Sequence, residues 1–368
     1  MFALQQITQR SVIRRPLLAA LNSQLAARLT YPHGVDRFIE LFDATAVTDT
    51  TVGTITAIEH PTYRSVRVRI RPNANWQGFL AGQYVALGVE VNGRRERRCF
   101  SPAQSQHASG ELEFTMAVQP QGRVTRHLKN NARVGERVVM ETAAGEFSLP
   151  DERPEQLVLI SAGSGITPVI SMLRTLIDEQ YTGSVDFIHY ALTADEELYP
   201  HELDALAGQL PNLRIHRIHT KEGGELFSRA QLARLVPDYA RAQTYVCGPA
   251  PVLEATQTLF DAEGLSERMH QEAFGVAKPT GDEPAEGEVR FARSERLATN
   301  SGDTLLEQAE AAGLSPEHGC RMGVCFSCTC KKTSGQVRDL RSGQVSDDGE
   351  ADIQICVSVP VGTVALDL

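Results

Sequence analysis

The sequence has no apolar run approaching the ~18 residues that a membrane-crossing helix needs, so no helical span is expected. Residues 1–15 hold no continuous apolar stretch and no small-residue cleavage site, so a secretory signal is not expected either. Basic charge is in deficit. Lys plus Arg number 36 against 46 Asp plus Glu, a net charge of −10, which argues against a nucleic-acid binder. Repeats and low-complexity tracts are absent. So are the HExxH metal motif, paired catalytic carboxylates and any nucleophile–base pair. Ten histidines are scattered. His216 and His219 are the one close pair, and three residues apart on a strand they face opposite sides, as structural or surface groups do.

What remains is an ordinary globular composition, 42% apolar and 22% charged. The 368 residues suffice for two to three domains. Seven cysteines stand out because five lie between Cys320 and Cys356. An odd number at tight spacing favours reduced thiols or metal ligands over a disulfide framework.

The chain divides by texture. Residues 1–45 read as helical: Leu17, Leu18, Leu21, Leu25 and Leu29 form a stripe after Pro16. That stripe packs on the body of the protein or touches a membrane or a membrane-bound partner. Residues 46–153 read as short alternating strands punctuated by glycines, with one helix near Val124–Lys129, as in a β-barrel or sandwich. Residues 154–276 alternate apolar runs with helical text, which predicts an α/β domain with a doubly wound parallel sheet. Helices are expected over Pro168–Ile177, Glu202–Leu210 and Pro251–Glu263. Residues 277–287 form a Pro-, Gly- and acid-rich linker, and 288–368 a compact last domain.

The last domain carries Cys320-x4-Cys325-x2-Cys328 and, later, Cys356. This is plant-type spacing for a [2Fe–2S] cluster: one loop supplies three thiolates and a later strand the fourth. Gly319, Gly323 and Ser327 are small enough to let backbone N–H groups approach the sulfurs. Zinc would need a second paired knuckle, and Cys356 has no CxxC partner. Cys330 falls outside the spacing and reads as a small buried hydrophobe.

Two further motifs suit phosphates. Arg98-Cys99-Phe100-Ser101 ends a β-like segment, and Gly122-Arg123-Val124-Thr125 opens the barrel's helix, where backbone N–H groups and a hydroxyl suit an anion. Taken alone, these residues are equally a strand and a capped helix. Gly163-Ser164-Gly165-Ile166-Thr167-Pro168 follows a buried strand and opens a helix, as a pyrophosphate loop does. Cys247-Gly248-Pro249 ends a later strand.

In this order, the motifs resemble the ferredoxin–NADP reductase superfamily with a fused C-terminal plant-type ferredoxin domain, over about residues 46–368. The resemblance implies an antiparallel barrel for FAD, a nucleotide domain, and an α+β (β-grasp) ferredoxin domain. It implies that Arg98 binds the flavin pyrophosphate, Phe100 stacks on the ring in place of the usual Tyr, and Ser101 hydrogen-bonds near flavin N5. Gly122, Val124 and Thr125 would hold flavin phosphate. Gly163, Gly165, Thr167 and Pro168 would hold nicotinamide-nucleotide phosphate, with Cys247, Gly248 and Pro249 against the nicotinamide. Ser101, Cys247 and Glu272 would line the hydride path, and Cys320, Cys325, Cys328 and Cys356 would bind the two irons.

More narrowly, His270-Gln-Glu272-Ala-Phe274-Gly275, Gly319–Cys330 and Ile353–Gly362 resemble the reductases of membrane fatty-acyl desaturases and related diiron hydroxylases. The resemblance implies NAD(P)H-to-FAD-to-[2Fe–2S] electron transfer to an external oxygenase or desaturase. It implies a cytoplasmic protein, free or peripheral at the inner membrane face. An aromatic-ring or alkane hydroxylase system is the alternative, and a redox-sensing docking module is a reading of another class. The resemblance favours NADPH, whereas Asp195, Glu196 and Glu197 would repel a 2′-phosphate and favour NADH. Arg217 or Lys221 would have to supply the missing positive charge.

Overall fold

The computed structural model describes residues 50–120, 122–275, 285–323 and 326–368. The expected N-terminal helix, most of the expected linker and Cys325 lie outside them.

The first unit contains β1 (Thr51–Glu59), β2 (Ser65–Pro72), β3 (Val85–Val91), β4 (Arg94–Phe100), β5 (Leu112–Ala117), α1 (Arg123–Asn130) and β6 (Arg137–Met140). Its strands form one antiparallel sheet in the order β4-β3-β6-β1-β2-β5. Strands β4 and β5 are edges, so the barrel stays open. Alternation sets the faces. Val66, Val68 and Ile70 are fully buried, while Arg67 and Arg69 point outward to Glu59 across the β1–β2 pair. Val124 and Leu128 of α1 pack into the same core.

The second unit runs β7 (Gln156–Ala162), α2 (Ile166–Asp178), β8 (Ser184–Ala191), α3 (Pro200–Leu206), β9 (Leu213–His219), α4 (Arg229–Leu235), β10 (Gln243–Gly248), α5 (Ala250–Ala262) and β11 (Met269–Ala273). All five strands are parallel, in the order β11-β10-β7-β8-β9. Residues of α2 and α3 cover one face and residues of α4 and α5 the other, so the sheet is doubly wound. Helix α3 stops at Leu206 rather than Leu210, with Gly208 and Pro211 breaking the pattern. Strand β11 has no apolar pattern (MHQEA) and is held as an edge by its pairing with β10.

These two units share a core. Ala81, Ala103, Phe147 and Leu149 of the first pack with α2 and β7 of the second. Arg174 of α2 donates to Ala103 O (2.6 Å) and to Glu202 (2.6 Å). Tyr199 Oη donates to Thr115 Oγ1 at 2.6 Å.

The third unit contains β12 (Glu288–Phe291), β13 (Arg296–Thr299), α6 (Leu305–Ala311), β14 (Thr329–Asp339), β15 (Ala351–Gln354) and β16 (Ser358–Leu366). The sheet order is β13-β12-β16-β14-β15, with β12 and β16 parallel. A capping box starts α6: Thr304 Oγ1 accepts from Glu307 N, and Glu307 Oε2 accepts from Thr304 N. Leu305, Leu306 and Ala309 then bury against Phe291, Val357 and Val364. A mixed sheet wrapped on one helix is the β-grasp arrangement.

Candidate functional site

In the parallel sheet the strand order reverses between β7 and β10. Ligands bind such sheets beyond the carboxyl ends of the strands at that point. The glycine loop follows β7 there and Cys247-Gly248-Pro249 ends β10. Gly163 has φ +54°. A Cβ on Gly165 would lie 2.2 Å from Cys247 O and 2.8 Å from Gly248 N, so only glycine lets the two segments meet. Thr167 Oγ1 donates to Ser164 O at 3.2 Å and tightens the turn into α2. Thr167 and Pro168 are buried in that first turn. Gly163, Gly165, Thr167, Pro168, Cys247, Gly248 and Pro249 thus gather at one edge.

Register places a polar rung across this sheet. Glu272 pairs with Cys247, Cys247 with Ser161, Ser161 with His189, and His189 with Arg217. Neighbours in register point to the same face. Burial raises Glu272 to about 8, and its Oε2 has no partner. The Cys247 thiol is fully buried and is pushed up by burial and by Glu272. Ser161 Oγ and His189 Nδ1 lie 2.9 Å apart. Burial lowers His189 to about 4, so its ring is neutral.

Arg217 is not free to meet a nucleotide phosphate. It binds Glu197 through Nε and Nη2 and Asp204 through Nη1. Burial would push Glu197 up, but its bonds to Arg217 and His219 hold its carboxyl below the usual range. Glu196 accepts from Tyr63 Oη at 2.7 Å and lies 3.5 Å from Arg64. Of the three acids expected to repel a 2′-phosphate, two are neutralised within the fold.

In the barrel, Ser101 lies just beyond β4, buried, with no partner for Oγ. Phe100 is half-buried against the barrel core. Thr125 Oγ1 is also buried and unpartnered. A Cβ on Gly122 would lie 2.6 Å from that hydroxyl, so glycine keeps the cradle open at an α1 N-terminus that no side chain caps. Val124 faces the core and offers only its backbone. Unpartnered buried hydroxyls beside free helical N–H groups fit a phosphate-bearing flavin. Arg98 is turned elsewhere: Nη1 donates to Arg97 O (2.6 Å) and Gly319 O (3.3 Å) and lies 3.6 Å from Glu96.

The third unit buries Cys320, Cys328 and Cys356. The Cys328 and Cys356 sulfurs lie 3.2 Å apart and share a hydrogen bond that holds one thiol of the pair below its ordinary value. Met322 N donates to Cys320 Sγ at 3.4 Å. Gly323, at φ +74°, lets Arg341 Nη1 reach its carbonyl at 2.6 Å. Buried unbridged thiols with a backbone N–H aimed at sulfur fit an iron–sulfur cluster. Cys330 is half-buried at the edge of the domain core. The loop meets the barrel directly, because Arg97 Nη1 donates to Ser327 Oγ at 3.1 Å.

Sequence reading assigned no role to Ser161, His189 and Glu96. Two signals pointed to them: His189 interrupts an apolar run, and Glu96 is a lone acid among four arginines in Arg94–Phe100.

Family models match residues 50–149 (oxidoreductase FAD-binding domain), 159–258 (oxidoreductase NAD-binding domain) and 291–361 (2Fe-2S iron-sulfur cluster binding domain). The chain is 34% identical to the "NADPH oxidoreductase" of Mycobacterium tuberculosis, over 96% of each chain. It is 28% identical to the glycine betaine monooxygenase reductase subunit of Chromohalobacter salexigens, over 78% of this chain and 87% of that one. In fold it is similar to phthalate dioxygenase reductase, with a TM-score of 0.61 at 23% identity over 86% and 97% of the two chains. The chain belongs to the ferredoxin–NADP reductase superfamily, as an oxidoreductase with FAD-binding, NAD-binding and C-terminal 2Fe–2S domains.

Proposed function

We propose that the chain is the reductase component of an oxygenase system, moving electrons from NAD(P)H through FAD and a [2Fe–2S] cluster to a separate acceptor. One observation carries the reading: the cysteine loop is hydrogen-bonded, through Gly319 and Ser327, to the strand that ends in the flavin motif. When bound, the flavin supplies conversion of a two-electron hydride into single electrons, which the iron–sulfur cluster relays.

The chain's residues hold and shield these groups. Ser101 and Thr125 offer hydroxyls to the flavin, and Phe100 a stacking face. Arg98 is available to the flavin pyrophosphate once it leaves Gly319 O. The Gly163–Gly165 turn receives the nucleotide phosphates at the start of α2. Cys247 and Glu272 would line the nicotinamide site, with the thiol fully buried, and Glu272 keeps a proton on its carboxyl at neutral pH. Cys320, Cys325, Cys328 and Cys356 are the iron ligands. Cys356→Ser in flavin-loaded protein is expected to abolish NAD(P)H-driven cytochrome c reduction while dye reduction by the flavin persists. Loss of both activities in folded, flavin-loaded protein would count against this route.

The nucleotide we assign is NADPH. Glu196 and Glu197 are neutralised, and the backbone N–H of Lys221 bonds Leu192 O at 2.8 Å, which puts that cation beside the stretch following β8. The relative from Mycobacterium tuberculosis carries NADPH in its name. A kcat/KM for NADH equal to or above that for NADPH would reverse the assignment. As acceptor we infer a diiron membrane acyl desaturase, on the resemblance of His270–Gly275, Gly319–Cys330 and Ile353–Gly362. The glycine betaine monooxygenase relatives favour a monooxygenase of another kind as the second reading. Co-purification of the acceptor decides between them.

A further inference from the structure

The first two units share an apolar core, but the third does not join it. Among the described residues, no apolar cluster contains side chains from both the barrel and the ferredoxin unit. The hydrogen bonds and ion pairs across that boundary are polar and converge near β4. At their centre is Glu96, with a side chain 8% exposed. Its Oε1 lies 3.1 Å from Arg123 Nη2. Its Oε2 lies 3.6 Å from Arg98 Nη1 and 3.9 Å from His318 Nε2 on the cluster loop.

The tautomer of His318 defines which charge faces Glu96. His318 Nδ1 is 3.0 Å from Pro316 O, a bond it can make only as donor. Its Nε2 then accepts from Arg321 Nη2 at 3.0 Å. The positive charge on the ferredoxin side is therefore Arg321, which Glu310 holds from behind. Burial lowers Arg98, and the Arg321 charge lowers it further, so the two cations meet across the boundary. Without Glu96, Arg98 would lose the larger of the two carboxylate charges, Glu96 and Glu310, that offset Arg321.

We propose that Glu96 is a positioning residue for electron transfer: its carboxylate, set between arginines of the barrel and the His318–Arg321 pair of the cluster loop, seats the ferredoxin domain on the flavin strand. This rests on the flavin-to-cluster route proposed above. The seat combines this buried anion with the bonds from Arg97 to Ser327 and from Arg98 to Gly319.

The test uses full-length protein loaded with flavin and cluster, in the presence of added FAD. Rapid mixing with NAD(P)H separates flavin reduction from cluster reduction by their absorbances, and X-ray scattering reports domain separation without turnover. In Glu96→Gln, cluster reduction is expected to slow about tenfold or more, the scale for losing a buried charge pair, relative to flavin reduction in the same trace. The scattering radius is expected to grow, and Glu96→Asp to recover most of both. An unchanged ratio of the two rates with an unchanged radius overturns the proposal. So does a Glu96→Gln protein that cannot retain flavin in added FAD, because that places Glu96 in the flavin site instead. If the wild-type flavin is reduced while its cluster stays oxidised, the route itself fails, whatever the variants do.

Discussion

At the scale of single residues, Glu272 has the clearest titration. Its buried carboxyl is raised from an ordinary 4.5 to about 8, with burial as the cause. The neutral acid can donate a hydrogen bond at the hydride site; the carboxylate cannot. Wild-type flavin reduction is expected to fall as pH rises through about 8. Glu272→Gln, which keeps a donor but does not titrate, is expected to give a flat and slower profile. Identical profiles in stopped-flow pH series would remove Glu272 from the site. Stability follows the same ionisation. The unfolded carboxyl ionises near 4.5, so this group's stabilisation is complete below that pH and lost as pH approaches 8. Denaturant unfolding should therefore show Glu272→Gln gaining on wild type between pH 5 and 8. Glu272 was legible from its place in a motif, but its unpartnered oxygen was not. Ser161 and His189 were illegible for a related reason: only strand register puts them in the same rung as Cys247.

At the scale of elements, alternation and glycine placement foretold most of what forms. The β7 run, the glycine loop and α2 stand where an apolar run followed by a turn and a helical stripe required them. Strand β11 was not foreseen because its five residues have no apolar period, and tertiary pairing overrides local text there. Lys332 shows the same limit on β14. A lysine in an exposed-looking strand is fully buried, and its Nζ donates to Gly335 O (2.6 Å), Asp347 O (2.8 Å) and Gly349 O. Three carbonyls around one ammonium fix the turn between β14 and β15. Lys332→Met fills the space but leaves those carbonyls without their donor, at an expected cost of about 3 kcal/mol. Thermal unfolding, followed by cluster absorbance, should show the ferredoxin unit failing earlier while the flavin signal is retained. An unchanged cluster transition would mean that the turn finds other partners.

At the scale of the molecule, charge divides unevenly, and the division is plain in the sequence. Residues 285–368 hold eight Lys and Arg against thirteen Asp and Glu, half of the net charge of −10. What composition does not give is where those acids stand. Asp347, Asp348, Glu350 and Asp352 are exposed on the turn that Lys332 fixes and at its exit into β15. Lys331 pairs with Glu350 at 2.8 Å, and the turn that Lys332 fixes holds the other acids outward. The opposite side of the unit, at the cluster loop, faces the barrel through arginines. A domain with polar contacts to its own barrel and an acidic outer surface suits a basic acceptor approaching from solvent. Screening gives the measure, since the Debye length shrinks from about 30 Å at 0.01 M salt to about 8 Å at 0.15 M. The second-order rate of electron transfer to a basic acceptor protein is expected to fall several-fold over that range. Reduction of a small neutral dye by the same preparation should stay level, because it needs no steering. If the two rates respond alike, the acidic surface has no part in meeting the acceptor, and the recognition must lie at the cluster loop itself.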